Sequence, residues 1–194
     1  MRHIAAMPMA PLPDFADLPM DALAQWMESD APPPVERWHP AREGRIDIRI
    51  SADGRWFHEG GEITRPAMVR LFSRILRREA DGSHVLVTPA EKLTIMVEDA
   101  PFVVVEARFE EERDDAKVAF RLNSGDVVML GAEHPLRLRE GPAGVLPYLH
   151  VRGPAERALE ARLARSVYYD CAAHADGDGR LWSGGMAWPL GETG

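Results

Sequence analysis

A strand–turn–strand phrase occurs twice in this chain and limits its fold more than any other feature. The first copy, IDIRISADGRWFHEG, runs from Ile46 to Gly60, and the second, VAFRLNSGDVVMLG, from Val118 to Gly131. Aligned with a one-residue gap, Ile46, Ile48, Arg49 and Ile50 fall on Val118, Phe120, Arg121 and Leu122, and Gly54 falls on Gly125. Each copy alternates apolar and polar residues, as a strand with one buried face does. Each then breaks at a small polar residue and a glycine, the chemistry of a tight turn. The repeat predicts a duplicated unit, with a binding cleft between two halves.

The remaining segments fill in around these hairpins. Residues Met1–Pro13 read as disordered. Leu18, Ala22, Leu23, Trp26 and Met27 recur at helical spacing and predict a helix over Asp14–Glu28, ended by the Pro32-Pro33-Pro34 run. Met68, Leu71, Phe72, Ile75 and Leu76 form a stripe that predicts a helix from Thr64 to Glu79, with Pro66 in its first turn and Asp81-Gly82 after it. Val85–Thr88, Leu93–Val97 and Phe102–Phe109 read as strands, the last a central one because it opens apolar on both faces. Glu110–Asp115 is a hydrophilic turn, His134–Arg139 an edge strand, and Pro147–Val151 a short apolar segment. Short connections predict antiparallel meander order. Leu159, Leu163 and Val167 predict a last helix from Pro154 to about Ala173.

Segregated strands and helices of this kind indicate an α+β protein. Its expected units are an N-terminal helix and Pro-rich lead-in (residues 1–43), a first hairpin-plus-helix unit (44–90), a second meander-plus-helix unit (91–174) and an irregular tail (175–194). Trp182 and Trp188 are expected to pin that tail to the body.

Bulk properties narrow the function. The 194 residues suffice to bury a core, and the net charge of −8 argues against a general nucleic-acid binder. With Cys171 as the one cysteine, neither an intramolecular disulfide nor a cysteine zinc site can form, and its partly apolar surroundings favour a buried structural thiol. No stretch is apolar for long enough to span a bilayer, and prolines interrupt the N-terminal apolar run, so a cytoplasmic location is expected.

Several separated motifs occur here in one order: GRIDIRISADGRWFHEGGEITRPAMVRLFSRILRRE, LVTPAEKLTIMVEDAPFVVVEA, LNSGDVVMLGAEHPL and PYLHVR. Over about Gly44 to Asp170 the chain resembles the bacterial family called domain of unknown function 1285, a family without an established reaction. The resemblance implies an α+β fold of two related units, the second loosely like a pleckstrin-homology barrel capped by a C-terminal helix. It also implies a ligand site at the interface of the units, for a nucleotide-like molecule, and a role in signalling.

The residues offer few chemical groupings of their own. Arg70, Arg74, Arg77 and Arg78 would form a basic face on the first long helix, suited to a phosphate or an acidic partner; a solvated face paired with Glu and Asp is the plainer alternative. Glu91-Lys92 lies in a turn that can present a charged pair to a ligand. Glu98 and Asp99 are adjacent on a strand end, so they point to opposite faces and make no obvious acid–base pair. None of the seven histidines has metal-ligand spacing, although His58 and His134 would approach one cleft if the repeats faced each other. Asp176-Gly177-Asp178-Gly179 lacks the closing acid of a calcium loop. GxGxxG, Walker A and GxSxG patterns are absent, and no pattern names a cofactor.

The duplication, the clustered arginines and the family resemblance together favour a non-catalytic module recognising a small anionic ligand between its repeats, nucleotide-like as the resemblance implies. Arg65, Glu91, Lys92, Glu98, Asp99, Asn123 and His134 are the expected interface residues, with Trp56 and His58 as walls. A protein-interaction adaptor using edge strands and the Trp-bearing tail is the second reading. A metal-dependent hydrolase built on Glu91, Asp99 and His134 is the third.

Overall fold

The computed structural model describes residues 33–110, 116–142 and 144–191. The expected disordered start, the helix at 14–28 and the polar turn at 111–115 lie outside the described residues.

The first half holds β1 (Arg42–Ile50), β2 (Trp56–His58), β3 (Gly61–Glu62), α1 (Pro66–Arg74), β4 (Leu76–Arg78), β5 (His84–Val87) and β6 (Glu91–Val97). The second holds β7 (Phe102–Glu110), β8 (Lys117–Leu122), β9 (Val127–Met129), β10 (Leu136–Gly141), β11 (Gly144–Arg152), β12 (Leu159–Leu163) and α2 (Arg165–Ala173), followed by a β13–β14 hairpin (Arg180–Ser183, Met186–Pro189). The fold is α+β, with few helices, mostly antiparallel strands and two duplicated units, the second sheet curled into a half-barrel.

The duplication is topological. The first sheet is ordered β3-β2-β1-β6-β5-β4 and the second β10-β11-β12-β7-β8-β9. Each is a pair of three-strand meanders joined where first and last strands run parallel, β1 with β6 and β7 with β12. The sheets are thus mostly antiparallel, as expected, with one parallel pairing in each where the two meanders meet. The cause is the link between the meanders, which crosses from one sheet edge to the other. In the first half it carries α1. In the second it is only residues 130–135, folded into a turn by mutual bonds between Gly131 and His134. A flat six-stranded sheet would be about 24 Å wide, more than so short a folded link spans comfortably, so the sheet must curl.

In this arrangement β1 corresponds to β7 and β2 to β8, so the two sequence phrases, which occupy β1–β2 and β8–β9, are one strand out of topological register. What they share is a turn. Ser51 N donates to Arg55 O and Gly54 N to Ser51 O; Leu122 N donates to Asp126 O and Gly125 N to Leu122 O. Both glycines have positive φ, 82° and 90°.

Further expectations are corrected. Strand β6, assigned by sequence to the second unit, is hydrogen-bonded between β1 and β5 of the first sheet. The helix expected to reach Glu79 ends at Arg74, and Leu76–Arg78 pair with β5 instead. This dismantles the basic face. Arg77 is 4% exposed, with its guanidinium donating to Val35 O and Trp38 O at 2.8 Å and to Glu79 at 2.7 Å. The helix expected from Pro154 is a 3-10 turn, then β12, then α2; Leu159, Ala161 and Leu163 are buried in strand alternation. The tail is a hairpin rather than irregular. Ser183 Oγ donates to Leu130 O and accepts from Val118 N, while β14 packs on β10, so the hairpin bridges the two edges of the second sheet.

One core runs through both halves, from Ile48, Ile50 and Trp56 to Phe102, Phe120, Leu149, Leu163 and Leu181. Cys171 is fully buried in it, and burial pushes its thiol up to about 12, as expected of a structural cysteine. No helix among the described residues is long and apolar enough to cross a membrane.

Candidate functional site

The two repeated turns do touch. Asn123, just after β8, accepts from Val103 N through Oδ1 at 3.0 Å and donates from Nδ2 to Gly54 O at 2.9 Å. A Cβ at Gly54 would lie 2.6 Å from Asn123 Nδ2 and 2.7 Å from Val103 Cγ2, so the contact requires glycine there. Asn123 thus joins the halves through backbone and is not positioned as a ligand contact. Beside it, Glu98 accepts from Ala52 N at 3.0 Å and pairs with Arg49; the Ala52 amide foremost, then Arg49, holds its carboxyl below the usual range. Arg152 reaches from the end of β11 into the first half and donates to Ser73 O of α1 and to Leu76 O of β4. Burial pulls its pKa down to about 10.

The other expected site residues scatter. Trp56 is 1% exposed and stacks on Phe72 in the core, so it is no ligand wall. His58 lies exposed on β2, and Arg65 lies exposed at the start of α1. Lys92 is engaged by Glu43 at 2.8 Å and Glu79 at 3.5 Å; the Glu43 hydrogen bond, with help from Glu79, holds its ammonium above the usual lysine range. Glu91 pairs with Arg42. His134 is half-buried with Nδ1 3.1 Å from His150 O, and burial lowers its pKa. The hydrolase triad is therefore dispersed: Glu91 with Arg42, His134 beside His150, and Asp99 in a different network. Among the described residues, no three His, Cys, Asp or Glu side chains are grouped to hold a metal.

Asp99 leads to a recess of the surface. It lies on the segment between β6 and β7, with its side chain 2% exposed. Tyr148 donates its hydroxyl to both carboxylate oxygens, at 2.8 and 3.0 Å, and Arg139 donates at 3.1 Å. Burial, then the Asp99 hydrogen bond, pushes the Tyr148 hydroxyl up to about 12. Arg139 also lies over the Tyr148 ring, 3.7 Å from its centroid, and pairs with Glu160 at 3.1 Å. Arg162 approaches from β12, its Nε 3.6 Å from Asp99 Oδ2.

Arg162 also lines a cleft of about 360 Å³ between α2 and the sheet. Leu146 and Pro147 of β11, Leu163 of β12, and Arg165, Tyr168 and Tyr169 of α2 complete it. Arg165 and Tyr169 form its outer lip, with the guanidinium 5.7 Å from the ring centroid and donating to the hydroxyl at 3.3 Å. Such a recess offers apolar wall, phenol rings and two cations, which suits a small molecule with a flat part and a negative group. Sequence reading passed over these residues because it placed Arg162, Arg165, Tyr168 and Tyr169 on one helix. The available signal was the run ARLARSVYY, in which strand alternation stops after Leu163.

Family models match nearly all of the described chain. The N-terminal domain of the domain of unknown function DUF1285 matches residues 33–100, and the C-terminal domain of the protein of unknown function DUF1285 matches residues 101–190. The chain belongs to the DUF1285 family. The boundary between the two models coincides with the end of the first sheet and places Asp99 at the junction. Among solved structures, a DUF1285 family protein from Silicibacter pomeroyi DSS-3 is 40% identical, with a TM-score of 0.74 over 87% of this chain and 93% of that one. A second, from Shewanella baltica OS155, is 26% identical, with a TM-score of 0.50 over 66% of this chain and 92% of that one. No curated protein matches the DUF1285 chain described here.

Proposed function

We propose that this DUF1285 protein is a non-catalytic binding module for a small anionic ligand carrying a flat ring, taken up in the cleft between α2 and the second sheet. The observation that carries this reading is the convergence of Arg162, Arg165, Tyr168 and Tyr169 with apolar Leu146, Pro147 and Leu163 on one recess. Its volume lies near the lower end of the range of about 300–1,000 Å³ common for small-molecule sites, which favours one ring system over a dinucleotide. The site expected between the repeats moves into the second half, because Asn123, Glu98 and Lys92 are engaged in structural contacts. A signalling role follows from this reading if occupancy changes the protein's behaviour toward a partner.

Thermal unfolding against a panel of mononucleotides, aromatic acids and phosphorylated metabolites tests the proposal, since a ligand of the native state raises Tm with concentration. One chemical class should shift the wild type and the Arg65→Ala variant alike, and should fail to shift Arg162→Gln. A panel without shifts, or shifts insensitive to Arg162, would count against it. The adaptor reading keeps one observation of its own: Met68 and Leu71 are 37% and 58% exposed on α1. Loss of a purified partner on Leu71→Glu would favour it.

A further inference from the structure

The geometry points to Arg162 as a cation shared between the cleft and the junction of the two halves, so that an anionic ligand competes with Asp99 and loosens the segment joining β6 to β7. This rests on the reading of the cleft as the ligand site and adds regulation to it.

Three features lead there. Arg162 Nε lies 3.6 Å from Asp99 Oδ2 yet makes no hydrogen bond among the described residues. The pair is held by charge and not by a fork-to-fork bond, so the guanidinium can turn toward a second anion without breaking a directional contact. Asp99, in turn, keeps Tyr148 and Arg139 when Arg162 turns away, so the move does not strand a buried carboxylate. Finally, Asp99 belongs to the connection itself. The preceding residue, Glu98, bonds its amide to Ile50 O of the first sheet, and Phe102, three residues on, begins the second sheet beside β12. What weakens the hold on Asp99 is therefore felt where the halves meet.

The charges make the sign definite. Arg139 and Arg162 face Asp99 and Glu160, two positive groups against two negative. An incoming anion shares Arg162 with Asp99 and is repelled by it, so neutralising Asp99 must strengthen anion binding. By linkage, the anion must weaken the Asp99 contact by the same factor. The shared chemistry of the ligand is a negative group on a flat ring. Adenosine 5′-monophosphate, benzoate and inorganic phosphate serve as probes that separate a phosphate from a carboxylate and a ring from a bare ion.

Two measurements on the full chain test this. Calorimetric titration compares wild type with Asp99→Asn and Arg162→Gln. Hydrogen exchange of wild type, with and without a saturating probe, follows the amides of Glu98, Asp99, Ala100, Phe102 and Val103. The inference expects Asp99→Asn to tighten binding about fivefold or more, Arg162→Gln to abolish it, and exchange at the junction to accelerate on binding. Probe binding with the Asp99→Asn affinity unchanged or reduced, or with junction exchange unchanged or slowed, would overturn the shared-cation inference while leaving the cleft reading in place. Absence of wild-type binding for every probe would overturn both. If Asp99→Asn fails to fold, the wild-type exchange experiment decides alone.

Discussion

At residue 123 a single side-chain amide does what two facing turns need. Its oxygen takes the Val103 amide proton and its nitrogen fills the Gly54 carbonyl, so removing it leaves two backbone groups unpaired. Asn123→Ala is expected to cost about 2–4 kcal/mol in urea unfolding, and Gly54→Ala about 2 kcal/mol or more, from positive φ and from contacts under 3 Å. A loss below about 0.5 kcal/mol, the usual scatter of surface changes, would deny the clamp. His84 supplies a pH dependence. Burial, with Arg78 paired opposite it, pulls its pKa from 6.5 to about 4. Between those values the unfolded chain binds the proton and the folded one does not, so stability is complete above about pH 6.5 and falls as pH drops toward 4. The loss is up to about 3 kcal/mol, at about 1.4 kcal/mol per unit. His84→Gln should flatten that part of a stability–pH curve, and an unchanged slope would contradict the assignment.

At the scale of elements, the C-terminal hairpin behaves as a clasp. Leu181 and Leu190 are buried in the common core, and the Ser183 hydroxyl accepts from Val118 N of β8 and donates to Leu130 O just after β9. Ser183→Ala is expected to lower stability by about 1–3 kcal/mol, and removing residues 175–194 should lower Tm further; an unaltered Tm would show the clasp to be decorative. The sequence foresaw the paired hairpins, the central place of β7, the edge place of β10 and the buried thiol. It misread β12 because a spacing of four residues suits both a helix and a strand, being near 3.6 and a multiple of 2. Ala161, buried between Leu159 and Leu163, is the residue that distinguishes the two. It overextended α1 for a related reason: Ile75 and Leu76 continue the helical stripe, while tertiary contacts end the helix. Arg152, from the other half, takes the carbonyls of Ser73 and Leu76 there.

For the whole molecule, duplication and the common core fit together. Two sheets of one topology, each closed by a parallel central pair, share one apolar interior, and polar clamps at Asn123 and Arg152 fasten them together. Such a body should unfold in a single transition, with coincident midpoints by tryptophan fluorescence and circular dichroism; two separated transitions would mean the halves are independent. The candidate site was only half legible. Asp99 could be singled out from the sequence, but its arginine and tyrosine partners are 40 to 63 positions away and meet it only once β12 pairs with β7 and β11 and β10 line up beside β12. The cleft beside it depends on α2 starting immediately after β12, a boundary that residue patterning blurs. The most direct test of the cleft as a ligand site is an NMR titration of isotope-labelled protein with adenosine 5′-monophosphate and benzoate. Saturable shifts centred on Leu146, Arg162, Leu163 and Tyr168 are predicted for at least one of them. Saturable shifts centred instead on the Gly54–Asn123 contact, or no saturable shifts with either compound, would contradict it.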